Sequence, residues 1–250
     1  MSSSLSSRCN KEESERQDTV SITPNSSLLD NPIWHALTNQ HASFALGSTW
    51  ARRYQPDVAP FAALAGNDTR SFDALADLVP SGQAVALLGE RSVPQGAWVL
   101  LRQTLLVQMV YGGFSPGTMD RSVTISALSS ADVPAMLQLV DATHPGPFLP
   151  RTIELGRYLA VWQDSQLAAM AGERFHLPGY HEISAVCTAP GFQRRGYARQ
   201  LTLRLMEAIQ DDGEVPMLHV VSGNAGALAL YEALGFRKRA DLTLSILQRR

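Results

Sequence analysis

Six consecutive residues, Gln193-Arg194-Arg195-Gly196-Tyr197-Ala198, bring together what an anion site needs. They lie between a short apolar run and an amphipathic one, so the spacing predicts a strand, a turn and the start of a helix. The first N–H groups of a helix have no backbone partners, and the helix dipole favours negative charge there. Gly196 lets a phosphate approach the main chain without a Cβ in the way, and Ala198 stays small for the same reason. Arg194, Arg195 and Arg199 add positive charge around the same turn. A diphosphate group is the natural guest.

The elements that must position this turn are legible on both sides. Glu182 to Thr188 is short, β-branched and apolar, as a buried strand is, and Pro190-Gly191 ends it. After the turn, Leu201, Leu205 and Ala208 share one helical face, which Leu203, Met206 and Ile209 widen. A further apolar strand closes with His219 to Val221. Asn224, a preferred N-cap residue, opens a second helix that ends in Leu230-Tyr231-Glu232-Ala233-Leu234-Gly235-Phe236.

Gln193, Gly196 and Ala198 occupy the defined positions of the pattern Q/R-x-x-G-x-G/A. With the Leu-Tyr-Glu-x-Leu-Gly-Phe ending, the chain from about residue 122 to residue 250 resembles the GNAT superfamily of N-acetyltransferases. The resemblance implies an α/β (α+β) fold, a mixed and mostly antiparallel sheet flanked by helices. It implies acetyl-CoA as co-substrate and an amine-bearing acceptor. Gln193 to Arg199, Tyr197 included, would hold the diphosphate. Val186, Cys187 and Thr188 would offer main-chain groups to the pantetheine arm, which lies like an extra strand where the sheet splays. A main-chain amide near the thioester carbonyl would serve the oxyanion. Glu182 is the candidate base, with Glu173 or water as alternatives; the structural reading is a strand-end glutamate facing solvent, or one paired with a nearby His or Arg. Tyr231 is the candidate acid for the leaving thiolate, or a packing residue against the pantetheine. Asn224 caps its helix or bonds the pantetheine. Cys187 alternates to the other face from Val186 and Thr188, which argues against a nucleophile. The acceptor side is less specified, with Arg151, Glu154, His176, Tyr180 and His181 as candidates.

Acyl transfer from a thioester to an amine needs no metal and, with both substrates bound together, no covalent intermediate. A non-catalytic CoA sensor is the alternative. A nucleotide-binding enzyme is less well supported, because the Lys-Ser/Thr of a phosphate-binding loop is missing after the glycine. An O-acyltransferase or a longer acyl donor is left open by the turn.

The 250 residues carry a net charge of −2, which argues against a general nucleic-acid binder. The two cysteines, Cys9 and Cys187, do not suggest a disulfide framework, and a reducing cytoplasm fits. No apolar run is long enough to predict a membrane span, and no secretory signal is expected. Homodimer formation is left open. Residues 1–28 are polar and predict a disordered tail. Residues 29–117 predict an N-terminal α/β region, either a degenerate GNAT-like copy or an unrelated cap shaping the pocket. Its elements are a helix over 30–45, strands at 58–65 and 84–88, a helix from Asp68 or Thr69, and one broken or two separate strands over 98–111. No metal-ligand spacing is present there. Gly112 to Gly117 predicts a linker. The acetyltransferase domain, 118–250, would then run from a strand at 122–128 and a helix capped by Ser130 through a hairpin turning at Asp164-Ser165, and would end in a strand at 243–247.

Overall fold

The computed structural model describes residues 24–89, 96–113, 117–120 and 122–250. Cys9 and most of the expected tail lie outside them, as does the centre of the expected linker. Among the described residues, eleven strands form one sheet: β1 (Ala45–Gly47), β2 (Ala51–Tyr54), β3 (Phe61–Leu64), β4 (Ala84–Leu88), β5 (Trp98–Tyr111), β6 (Ser126–Ala127), β7 (Tyr158–Gln163), β8 (Gln166–Leu177), β9 (Tyr180–Thr188), β10 (Val215–Val221) and β11 (Phe236–Arg249). Their spatial order is β1-β2-β3-β4-β11-β5-β10-β9-β8-β7-β6. The pairings are antiparallel except β3 with β4 and β9 with β10. This is the mixed, mostly antiparallel architecture that the resemblance implies.

Residues on either side of 117 share this sheet. β5 lies between β10 and β11, both from beyond residue 117, so its backbone pairs with later strands along both edges. Trp98 to Tyr111 runs as a single strand despite Arg102 and Gln103. Both side chains are on an exposed stretch of the sheet, and Gln103 Nε2 donates to Ser245 Oγ of β11 at 3.1 Å. A polar residue interrupts hydropathy, not strand pairing.

Among the described residues, five helices cover the two faces: α1 (Pro32–Thr38), α2 (Thr69–Leu78), α3 (Val133–Thr143), α4 (Tyr197–Asp211) and α5 (Ala225–Ala233). Strand alternation assigns them. Phe61, Ala63, Ala86 and Leu88 pack in the cluster that contains Ile33 and Leu37 of α1. Ala62, Leu64, Val85 and Leu87 join Phe72 and Leu75 of α2 on the other face. In the same way Ala169, Ala171 and Ile183 pack with α4, whereas Ala160, Met170 and Cys187 pack with α3.

Several predicted boundaries move. The helix expected over 30–45 stops at Thr38, because Thr38 Oγ1 and Asn39 Nδ2 donate to the carbonyls of Trp34 and His35. A hairpin, β1–β2, follows where no strand was expected. Residues 26–30, partly assigned to the tail, form a 3-10 turn. The strand expected over 122–128 shortens to Ser126–Ala127. Ser129, not Ser130, makes the capping box, with Asp132 returning a bond to its N–H. Asp164 and Ser165 turn the β7–β8 hairpin with φ of 48° and 66°. The last strand is 14 residues long rather than five, paired with β5 along its length.

Candidate active site

β9 and β10 pair only at Tyr180–Val215, His181–Pro216 and Glu182–Met217. Beyond Glu182 they diverge. A bulge helps to open the gap: Met170 pairs with Cys187 and Gly172 with Ser184, so Ala171 alone faces both Ala185 and Val186. Ala185 takes φ 52°, a left-handed conformation that an alanine adopts at a cost. The sheet splays here, and a cavity of about 580 Å³ occupies the opening. Val186, Cys187 and Thr188 line it from β9, with Gln193, Asn224 and Tyr231 on the other elements. The N-terminal half also contributes walls, through Phe61, Leu88 and Arg102.

At one end of the gap, Gly196 is the N-cap of α4 at φ 79°. A Cβ built there meets no atom within 4 Å, so glycine is required by conformation and not by crowding. No side chain caps the helix, which leaves its first N–H groups available to an anion. Gln193, Arg194 and Arg195 are exposed on the turn. Arg195 donates to the Gly191 carbonyl at 3.2 Å and lies over the Phe192 ring. Arg199 reaches the Thr118 carbonyl at 3.2 Å. Tyr197 and Ala198 are half-buried in the first turn of α4, Tyr197 against the core. This side of the site is a turn of open amides with cations around it.

Tyr231 is buried on the cavity wall, edge-on to Phe236. Burial first, and the neighbouring Cys187 second, push its phenol up to about 12. It is therefore a protonated hydroxyl at neutral pH, able to donate. Burial also pushes the Cys187 thiol up to about 11, outweighing its bonds to Thr143 and Met170. A thiol held in that state is a poor nucleophile. Asn224 Oδ1 accepts from the Ala227 N–H at 3.1 Å, so its oxygen is committed to capping α5 even though the residue lines the cavity.

Glu182 is fully buried and is not a free carboxylate. Arg174 donates to both of its oxygens, Nε and Nη2 at 2.7 Å each. His219 Nδ1 bonds Oε1 at 2.7 Å. Burial raises the Glu182 carboxyl, but the Arg174 guanidinium and the His219 bond outweigh it and bring it down to about 2. The expectation of Glu182 as a base meets a physical obstacle: its lone pairs are occupied and it has little affinity for a proton. The paired reading describes it. Glu173 is similarly committed, to Arg157 Nε at 2.7 Å and to the Arg157 main chain at 2.8 Å.

His219 and Arg174 do line the cavity, and neither was singled out from sequence. They end a buried polar chain. Arg239 donates to Gln108 Oε1 at 2.9 Å, Gln108 Nε2 lies 3.0 Å from His219 Nε2, and His219 continues to Glu182 and Arg174. Arg239 stands at a bulge in β11, where Lys238 and Ala240 pair with consecutive residues of β5. Arg174 also lies over the Phe61 and Phe175 rings. A histidine within an apolar strand and an arginine after a glutamate carry no local signal of this chain; it assembles from five strands. The acceptor candidates Arg151, Glu154, His176, Tyr180 and His181 are not among the residues lining the cavity. Arg151 pairs with Glu154 and Asp57, and Tyr180 donates to the Pro24 carbonyl.

Residues 158–244 match the family model described as FR47-like protein. Over 121 residues the chain is 36% identical to the [ribosomal protein bS18]-alanine N-acetyltransferase of Salmonella typhimurium, covering 46% of this chain and 81% of that protein. The Escherichia coli K12 protein of the same name is 31% identical over the same shares. A crystal structure of a Novosphingobium aromaticivorans protein assigned to the GNAT family of acetyltransferases superposes with a TM-score of 0.82 at 36% identity, over 89% of this chain and 98% of that one. A GCN5-related N-acetyltransferase from Kribbella flavida shares the fold at 14% identity, with a TM-score of 0.59 over 91% and 96% of the two chains.

Proposed function

Because the chain belongs to the GNAT family and is an acetyltransferase, we propose that it moves an acetyl group from acetyl-CoA to a primary amine, both substrates bound at once in the gap between β9 and β10. The observation that carries this reading is the divergence of those strands after Glu182, with an uncapped glycine turn at one end and the protonated Tyr231 on the wall.

The α4 turn, Gln193 to Arg199, takes the diphosphate on its N–H groups and arginines. The free main chain of Val186 to Thr188 pairs with the pantetheine arm, and the Ala185 bulge turns an amide toward the thioester oxygen. The neutral amine attacks the thioester carbon. The C–N bond forms, the C–S bond breaks, and Tyr231 donates its proton to the leaving sulfur. Water in the cavity takes the ammonium proton, since Glu182 and Glu173 are held in ion pairs. Glu182 then serves as the buried anion that holds Arg174 and His219 in the cavity wall. A free, buried Cys187 and a CoA co-substrate fit a reducing cytoplasm.

The Salmonella and E. coli relatives are named [ribosomal protein bS18]-alanine N-acetyltransferases, so a peptide with a free alanine amine heads the acceptor panel, beside free amino acids and polyamines. Thiol release with acetyl-CoA as donor should rise with one class of amine. Saturable acetyl-CoA binding with no amine-dependent thiol would convert the reading to a CoA sensor. No binding at all would remove the CoA assignment.

A further inference from the structure

At the end of the β8–β9 hairpin away from the cavity lining, three donors from separate elements converge. His176 on β8 and His181 on β9 are directly paired across the hairpin. Their rings stack 4.1 Å apart and 10° from parallel. Glu214, between α4 and β10, closes on both: His176 Nε2 lies 2.7 Å from its Oε1, and His181 Nδ1 lies 3.7 Å from its Oε2. One donor atom from each of the three sits within 4.8 Å of the others.

His181 is the residue that needs explaining. It is 5% exposed, and neither ring nitrogen has a hydrogen-bond partner. Its Nε2 is 3.8 Å from Glu173 Oε2, too far for a hydrogen bond, and that carboxylate is already taken by Arg157. Glu214 Oε2 is likewise buried and unpartnered, facing the same ring. A buried polar atom left without a partner loses the hydrogen bonds it makes in water, so such atoms are destabilising. His176 Nε2 and Glu214 Oε1 already share a hydrogen bond, which leaves His181 and Glu214 Oε2 to be met by a common acceptor of lone pairs.

We propose that His176, His181 and Glu214 bind a divalent cation of the zinc class, in a structural role outside the transfer chemistry. Imidazole and carboxylate are the donors that suit such an ion. Zinc at about 2.1 Å from each donor wants them roughly 3.4 Å apart and lies in the plane of each ring, so turning one of the stacked imidazoles, with shifts of about an ångström, completes the geometry. His176 is partly open to solvent, so the ion enters beside it and a water from that side is the fourth ligand. The nearby Arg157 cation is balanced by Glu173 and Asp212, and His41, edge-on to His176, is engaged with the Tyr54 hydroxyl. The ion would pin the hairpin to the α4–β10 joint, where the Val215 N–H already bonds the Gly179 carbonyl. That joint sets where β9 and β10 begin to diverge.

The test uses the tag-free full chain, stripped with chelator. Titration with zinc chloride should show one saturable site per chain, and cobalt(II) should give the visible bands of a four-coordinate complex. His176→Gln and Glu214→Gln, both at partly exposed positions, should each weaken zinc binding at least about tenfold, with circular dichroism unchanged. Zinc should raise the thermal midpoint of the wild type and not that of Glu214→Gln. Absence of saturable zinc binding in the wild type overturns the site. So does equal zinc affinity in wild type and both variants, which would place the metal elsewhere.

Discussion

Tyr231 and Glu182 show how environment assigns roles to side chains of a site. Both are buried, yet burial moves the Tyr231 phenol further from ionising while its partners hold Glu182 ionised. If Tyr231 donates to the leaving sulfur, Tyr231→Phe removes one hydroxyl from a wall that stays packed. Turnover should fall about 100-fold while the KM for acetyl-CoA changes less than about threefold, read by steady-state thiol release. Glu182→Gln should act differently. It leaves the Arg174 cation buried without its anion, a loss of about 3–5 kcal/mol in chemical denaturation. The pH dependence follows from the sign of the shift. The folded carboxyl sits near 2, below its ordinary 4.5, so the wild type holds this stabilisation above pH 4.5 and loses it as pH falls toward 2. The variant's stability curve should be flatter across that window. An equal acid slope in the two proteins would mean that another group controls acid unfolding.

The turn before α4 and the bulge in β9 are backbone devices, and their substitutions act through conformation. Gly196→Val puts a β-branched residue at φ 79°. No protein atom lies within 4 Å of the new Cβ, so the cost is backbone strain of about 1–3 kcal/mol at this turn. Acetyl-CoA affinity should fall at least tenfold by calorimetry, with the helical circular dichroism signal retained. Retained affinity would mean that the diphosphate is held by the arginines and not by the turn's amides. Ala185 already bears such strain at 52°, where the open cavity needs the strand to bend away from β10.

The sheet takes strands from both halves, and the two are expected to fold as one unit. β5 fills the slot between β10 and β11, and β4 covers the other edge of β11. A chain of residues 118–250 would expose the edges of β10 and β11 together with the apolar residues packed on β5. It should be recovered aggregated, and co-expression with residues 24–117 should return it to solution with acetyl-CoA binding. A folded, monomeric 118–250 fragment would show that β10 and β11 close against each other instead. Among the described residues no helix is long and apolar enough to cross a membrane.

The sequence by itself determined the parts written in local signals: the glycine turn and its helix, the strand before it, Asn224 and Tyr231 on the second helix, the Asp164-Ser165 hairpin, and through these the family. Each depends on neighbours a few residues away, where periodicity, capping and φ preferences act. Only the tertiary structure decided the rest. That β5 belongs inside the later sheet depends on pairing across more than 100 residues, which no window of sequence contains. That Glu182 is an ion-paired anion rather than a free base depends on Arg174 across the hairpin and His219 on β10. That His176, His181 and Glu214 meet depends on strand register and on where α4 ends. Electrostatics and metal-ligand geometry are properties of proximity in space, and proximity is what folding adds.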